Sequence, residues 1–405
     1  AWEIGTYEYN GSGGTPTPPP VTPPPPPPPS PLSTYYVSPS GNDSNAGTSA
    51  SPFRTIQKAA NIVIPGDTVV VRNGTYTDTD GNNIIATIGR GGAAGAPVTF
   101  RSENPFGAIL SGNNTAGFGF IFGNNINYVN IEGFEIKDIV EAGININESN
   151  SYITIKDNRI HHIGHIQTHT LYGMSCIDVG SRAHHITVAG NTIYSCGRLN
   201  PNNTNLEILD STCITPVGYV FPGNGITYSK ENTCYNHDHG IYVRGDDINI
   251  TNNTFYDMKS GWGVHVYDDA ALKERITITG NTFADANPQR NGQIIIGPQT
   301  SNLRIESNIF YNPSVSAIRL GDTCAAAGLT SITIQNNSTN IGDLISGADV
   351  SCGYTISGNL LNQNFQFANE AGRDYRLISG QPIVNKPGDF NRDGAVNALD
   401  FSLLS

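Results

Sequence analysis

The chain has 405 residues, only 14% of them charged, with 22 Lys+Arg against 34 Asp+Glu and a formal net charge of -12. So few cations exclude the basic stripes that phosphate recognition needs, so no nucleic-acid partner is expected. No run of eighteen apolar residues is present, which excludes a helical membrane span. Abundant Gly and Asn suit turns and β-branched Ile, Val and Thr suit strands, so the composition favours an all-β chain, and one long solenoid can absorb its length.

Residues 1–14 hold a short strand-like piece, Trp2 to Tyr9, and no signal peptide precedes Ala1, so either one has been removed or the chain is a fragment. Residues 15–33 form a Pro-rich linker that reads TPTPPPVTPPPPPPPSPL over 15–32. Such a tract is a stiff polyproline II spacer, and its Thr and Ser residues can carry O-linked sugar. The main domain is expected over residues 34–384. Near its start, apolar Phe53, Ile56, Ala59, Ala60 and Ile64 have helical spacing, and Asp67 to Val71 reads as a strand. A short amphipathic helix there fits a cap over the open end of a solenoid.

The pattern Ile-x-Ile-x-x-Asn then recurs at Ile153–Asn158, Ile186–Asn191, Ile248–Asn253, Ile276–Asn281, Leu303–Asn308 and Ile332–Asn337. From Asn253 to Asn337 adjacent copies are 27 to 29 residues apart, the length of one solenoid coil. Alternating apolar residues point inward, and an Asn at each corner can satisfy bent backbone and stack into a hydrogen-bonded ladder. The expected fold is all-β, a parallel β-helix with an N-terminal helical cap.

After each Asn comes a second short strand, such as Cys176–Gly180, Gly240–Arg244 and Gly263–Tyr267. With Ile and Val filling the core, alternation sends Asn145, Asp178, Tyr242, His265, Ile295 and Arg319 outward in one column. A second column holds Asn147, Gly180, Arg244, Tyr267, Gly297 and Gly321. All nine histidines lie between residues 161 and 265, where residues 197–222 also interrupt the repeat with a long loop. His161, His162, His184 and His185 read as solvated turn residues, and His237-Asp238-His239 reads as structural rather than metal-ligating. The candidate catalytic residues are therefore Tyr242, His265, Arg244 and Asp178, with Tyr267, Arg319 and Trp262 as candidate substrate contacts. Lys230, Lys259 and the turn Asp268-Asp269 lie near this zone as further candidates. Hydrolysis would need two carboxylates, and Asp178 with Asp268 is the pair on offer.

The six cysteines, Cys176, Cys196, Cys213, Cys234, Cys324 and Cys352, contain no CxxC pair, which argues against structural zinc. Their even count fits disulfides formed in an oxidising compartment, with Cys324 and Cys352 as one pair and three pairings open for the rest.

Over residues 35–380 the sequence resembles secreted bacterial right-handed β-helix proteins of the pectate-lyase-like kind. The segment YYVSPSGNDSNAGTSASPFRTIQKAANIVIPGDTVVVRNGTY is similar to their N-terminal capping region, and NHDHGIYVRGDDINITNNTF to their repeats. That resemblance implies an extracellular or cell-surface location and polysaccharide as partner, because such proteins include polysaccharide lyases, glycosidases and uronate epimerases. Calcium-dependent lyases of this fold use clustered aspartates near a lysine or arginine, and no such cluster stands out here. Residues 385–405 resemble half of a dockerin: Asp389, Asn391, Asp393, Asn397 and Asp400 fall at calcium-ligand positions, with Gly394 at the sharp turn. The resemblance implies calcium as cofactor and a cohesin-like partner. Trp2–Tyr9 resembles the last strand of such a β-helix, which implies a tandem protein or a strand donated to an identical neighbouring subunit. Two readings follow. The first is a polysaccharide lyase or other processing enzyme acting in an open groove, and the second is a structural subunit of an extracellular filament or surface layer. The histidine and aromatic strip favours the first.

Overall fold

The computed structural model describes residues 33–165, 174–197, 214–215, 232–233, 238–259, 261–267, 271–285, 292–320, 328–346 and 354–378. The chain coils, and each full coil gives one strand to each of three parallel sheets. One coil runs through Ser151–Lys156, Arg159–Ile163 and Ser175–Val179 before His184–Ala189 opens the next. The first sheet has eleven described strands, from Thr34–Val37 to Thr355–Ser357. The second has nine, from Gly74–Tyr76 to Ser338–Thr339, and the third nine, from Ile84–Ile88 to Ile345–Ser346.

Like residues stack on like because every coil repeats the same alternation. Ile153, Ile186, Ile248, Ile276, Leu303 and Ile332 are register partners along the first sheet, and all are buried. Each such side chain contributes ~1.5–3 kcal/mol by leaving water. Phe255, Phe283 and Phe310 stack along the second sheet with centroids 4.6 and 5.1 Å apart.

The corner between the first and second sheets is built by asparagine, as its recurrence predicts. Asn191 donates its backbone N–H and its side-chain amide to Asn253 Oδ1, both at 2.9 Å. The same pair of bonds links Asn158 to Asn191, Asn253 to Asn281, Asn281 to Asn308, Asn308 to Asn337 and Asn337 to Asn359. The residue before each ladder member is left-handed, at φ between 55° and 67° for Asp157, Gly190, Asn252, Gly280, Ser307, Asn336 and Gly358. That bend turns the chain through the corner, and the amide ladder satisfies the backbone it exposes.

At the N-terminal end the helix covers only Ile56–Ala60, shorter than the apolar spacing predicts. Asp43 explains the late start: its carboxylate accepts from the N–H groups of Arg54 and Thr55 and from the Thr55 hydroxyl, holding Thr55 extended as the N-cap. Phe53 instead bridges to Val37, and Ile64 is exposed. Gln57 bonds both backbone groups of Thr87, which seats the helix on the first strand of the third sheet. At the other end Phe367–Asn369 and Asp374–Leu377 form an antiparallel hairpin. A Cys176–Cys196 disulfide joins the third sheet to the second, choosing among the pairings the sequence left open. Cys213, Cys234, Cys324 and Cys352 lie outside the described residues, as do residues 1–32 and 385–405. No described helix is long and apolar enough to cross a membrane.

Candidate active site

The outward column expected on the third sheet is present in register. Asn145 pairs with Asp178, Asp178 with Tyr242, Tyr242 with His265, His265 with Ile295, and Ile295 with Arg319. The second column stacks beside it, since the N–H groups of Arg244 and Tyr267 donate to Val179 and Val243 of the preceding coils.

Six of the expected residues converge, together with His239, which the sequence pattern reads as structural. Arg244 Nη2 lies 2.9 and 3.2 Å from the two carboxylate oxygens of Asp178, and its guanidinium sits over the Tyr242 ring at 5.2 Å. Burial pushes the Asp178 carboxyl pKa up, while the charge and hydrogen bonds of Arg244 work against that rise. His265 Nδ1 lies 2.8 Å from His239 Nε2, so one imidazole donates and the other accepts. The His265 ring also contacts Tyr242 at 5.2 Å, Tyr267 at 5.2 Å and Trp262 at 5.4 Å. The result is a base, a phenol, a cation and a carboxylate on neighbouring rungs of one face.

His239 belongs to this cluster rather than to a purely structural triplet. It precedes Gly240 at the head of its strand, where two consecutive positions turn inward: Cys176 and Ile177, one coil earlier, are both fully buried. Gly261 makes room for it, because a Cβ there would lie 1.3 Å from the Asp238 carbonyl oxygen and 2.7 Å from His239 Nδ1. Buried Asp238 holds this segment by accepting from the Met174 N–H at 2.9 Å.

Other expectations need correction. His265 is only 7% exposed, covered by the surrounding rings rather than open to solvent. Trp262 is buried against His239 and His265, so it supports the histidines and offers no free face to a sugar. Arg319 is exposed but two rungs beyond His265, about 10 Å at a ~4.8 Å strand spacing, with Ile295 between them. Lys259 is buried and paired with Asp257, and its N–H donates to Cys196 beside the second sheet. His161 and His162 are strand residues, and His161 is buried, stacked on Tyr194 at 4.5 Å. Burial against that ring lowers the His161 pKa to about 3, and burial likewise takes His165 to about 4. Lys230, His237, Asp268, Asp269, Gly321 and most of residues 197–222 lie outside the described residues. Among the described residues no three His, Cys, Asp or Glu side chains are placed to hold a metal ion.

Comparison with known proteins agrees with this architecture. Residues 35–186 match the family described as "Pel9A-like, right handed beta helix region", and residues 219–379 match "Right handed beta helix region". The chain is 28% identical over 395 residues to "Uncharacterized protein YwoF" of Bacillus subtilis, covering 84% of this chain and 81% of that protein. It is 39% identical to Pectate lyase PEL9 of Emericella nidulans, but over 82 residues, 20% of this chain and 19% of that enzyme. Among solved structures, the alginate lyase from Paenibacillus sp. str. FPU-7 superposes with a TM-score of 0.52 at 17% identity, covering 76% of this chain and 94% of that one. The fold is that of the pectate-lyase-like right-handed parallel β-helices.

Proposed function

We propose that the third-sheet face is the active centre of a secreted polysaccharide lyase acting on a uronate polymer in an open groove. The observation that carries this reading is the contact between His265, His239 and Tyr242 beside the Asp178–Arg244 pair. The short match to a pectate lyase points the same way. In the proposed elimination Asp178, whose carboxyl pKa burial pushes up, cedes Arg244 to the uronate carboxylate, whose neutralisation acidifies the adjacent C–H. His265 takes that proton, the freed electron pair forms the C4=C5 double bond, the C4–O bond breaks, and Tyr242 gives its proton to the departing oxygen. Hydrolysis needs a second carboxylate opposite Asp178, and the one the sequence offers, Asp268, lies outside the described residues. The Cys176–Cys196 disulfide supports secretion, and calcium and a cohesin-like partner at Asp389–Asp400 remain part of the same proposal. Polygalacturonate and alginate, followed by the ultraviolet absorbance of unsaturated product ends, test it. The native chain should generate that signal, and a Tyr242→Phe/His265→Ala double variant that turns over as fast as the parent would sink the assignment.

The filament reading gains support from the last coil. Among the described residues nothing pairs with the far edge of Thr355–Ser357, and Ile356, Leu360 and Leu361 are exposed there. An edge of that kind accepts an added strand, and Trp2–Tyr9 of a second copy is the donor proposed. Electron microscopy separates the readings: filaments that vanish on deletion of residues 1–14 establish a structural role, and dispersed monomers remove it.

A further inference from the structure

The first sheet carries a second built surface, on a different face from the proposed active centre. A cleft of about 550 Å³ crosses successive coils there. Its floor is the outward column Asn130, Thr154, Thr187 and Asn249, one residue per coil in register. Among the described residues the side chains of Thr154, Thr187 and Asn249 make no hydrogen bond within the protein, so a floor of hydroxyl and amide groups stands open at rung spacing.

One wall is a continuous row of side chains. Tyr128 and Tyr152 stack at 4.5 Å with an interplanar angle of 5°, and His185 follows Tyr152 at 4.6 Å. Asp247 and Arg275 complete the row through paired hydrogen bonds of 2.6 and 3.0 Å. At one end Gly95 and Pro97 close the cleft, carried by a turn seated directly on the wall's backbone. A Cβ on Gly91 would lie 2.2 Å from the Asn127 carbonyl oxygen, and one on Gly92 would lie 2.7 Å from that of Tyr128.

Three of the five wall residues, Tyr128, Tyr152 and Arg275, are types that avoid their backbone conformation. All five sit at φ between 54° and 56°, a region where Tyr and Arg carry a strain of ~1–3 kcal/mol while Asn, Asp, His and Gly are the commoner occupants. Farther along the same sheet the equivalent left-handed positions hold Asn302 and Ser331. The second sheet has a comparable series, Asp138, Ser195, Asp257, Asp285 and Asn312, with His162 as its exception. On this sheet tyrosine and arginine thus take strained positions over the cleft and give way to Asn302 and Ser331 beyond it. Strain kept where easier residues serve elsewhere points to use.

We infer that this cleft binds a neutral polysaccharide strand laid along the solenoid axis, separately from the proposed catalytic face. The ligand class follows from the lining. Asp247 and Arg275 are the charged groups lining the cleft, they are paired with each other, and no unmatched cation remains for a uronate carboxylate. What is offered instead is hydroxyls and amides, the partners that sugar hydroxyls take, with the tyrosine edges alongside them. Repetition at ~4.8 Å suits a polymer of repeating units better than a single small molecule. The cleft would hold the protein on one component of a mixed polysaccharide while the other face acts on another.

Affinity electrophoresis of the full chain through gels containing xylan, galactan or mixed-linkage β-glucan, with polygalacturonate as the charged probe, tests this. At least one neutral polymer should retard the native protein. Tyr152→Asn, which suits the left-handed backbone and so keeps the fold, should weaken retardation about tenfold. Thr187→Val should weaken it while leaving the melting temperature in place. His265→Ala should bind like the parent, so a failed lyase assignment would not disturb this one. Retardation by polygalacturonate alone, no retardation by any neutral polymer, or undiminished retardation of Tyr152→Asn would each overturn the inference.

Discussion

His265 and His239 meet across adjacent coils through a 2.8 Å hydrogen bond between Nδ1 and Nε2. One nitrogen must be unprotonated to accept, so the bond couples the tautomers of the two rings. Removing His265 is expected to lower turnover by about 10²–10⁴-fold, the range for a general base. His239→Gln keeps a hydrogen-bonding side chain beside His265 but removes the second titrating ring. It should retain part of kcat and move the acidic limb of the pH–rate profile, a shift that a merely structural role for His239 would not produce.

The Asp178–Arg244 pair makes a separate prediction about stability. Folding raises the Asp178 pKa, so the folded chain favours the neutral acid, and this group's contribution falls as pH rises through its folded value. Arg244 limits that loss. In Arg244→Met the carboxylate remains without its guanidinium, and the variant should lose about 3–5 kcal/mol near neutral pH. The deficit should shrink in acid, where Asp178 is protonated. Chemical denaturation at both pH values checks this; an equal deficit at each would contradict it.

His161 behaves in the opposite sense. Its folded pKa of about 3 lies below the ordinary 6.5, so its contribution is fully present above 6.5 and is lost as pH falls toward 3. His161→Phe keeps a ring on Tyr194 and removes the titration. Its stability should depend less on pH across that window than the parent's, by about one proton's slope, with His165 still supplying part of the remainder.

Asn253→Ala tests the corner ladder. The change removes the acceptor for two Asn191 N–H groups and the donor to Val188 and Asn281. Buried groups left unpaired cost about 1–3 kcal/mol each, so a loss of several kcal/mol is expected in urea. A loss below about 1 kcal/mol would show that the ladder decorates the corner rather than holding it.

Most of the fold is legible in the residues because it repeats. Ile-x-Ile-x-x-Asn gives the strand, the inward face and the corner, and the ladder from Asn158 to Asn359 follows from that spacing. The outward column was readable by the same alternation, which placed Asp178, Tyr242 and His265 in register. Alternation failed where the backbone departs from it. Consecutive inward positions at Cys176-Ile177 carry over to Gly240-Ile241, which places His239 where a simple period of two would not. Nor does a sequence show how neighbours cover a side chain: His265 and Trp262 reach the face but are shielded by adjacent rings. The cleft on the first sheet was hidden for a related reason, since left-handed backbone at Tyr128 and Tyr152 has no signature in residues that ordinarily avoid it.

Asn191 and Asn253 stand 62 residues apart along the chain and one hydrogen bond apart in space. The scaffold therefore leaves and rejoins itself at a fixed pair of addresses, whatever chain lies between them. The length and chemistry of the chain between Cys196 and His239 can change in that sense while Val179 and Val243, register partners on the third sheet, keep their places. Because the proposed active face is assembled from Ser175–Val179, His239–Val243 and Val264–Val266, on both sides of that stretch, its surroundings can be rewritten at one insertion without renegotiating the rest of the coil.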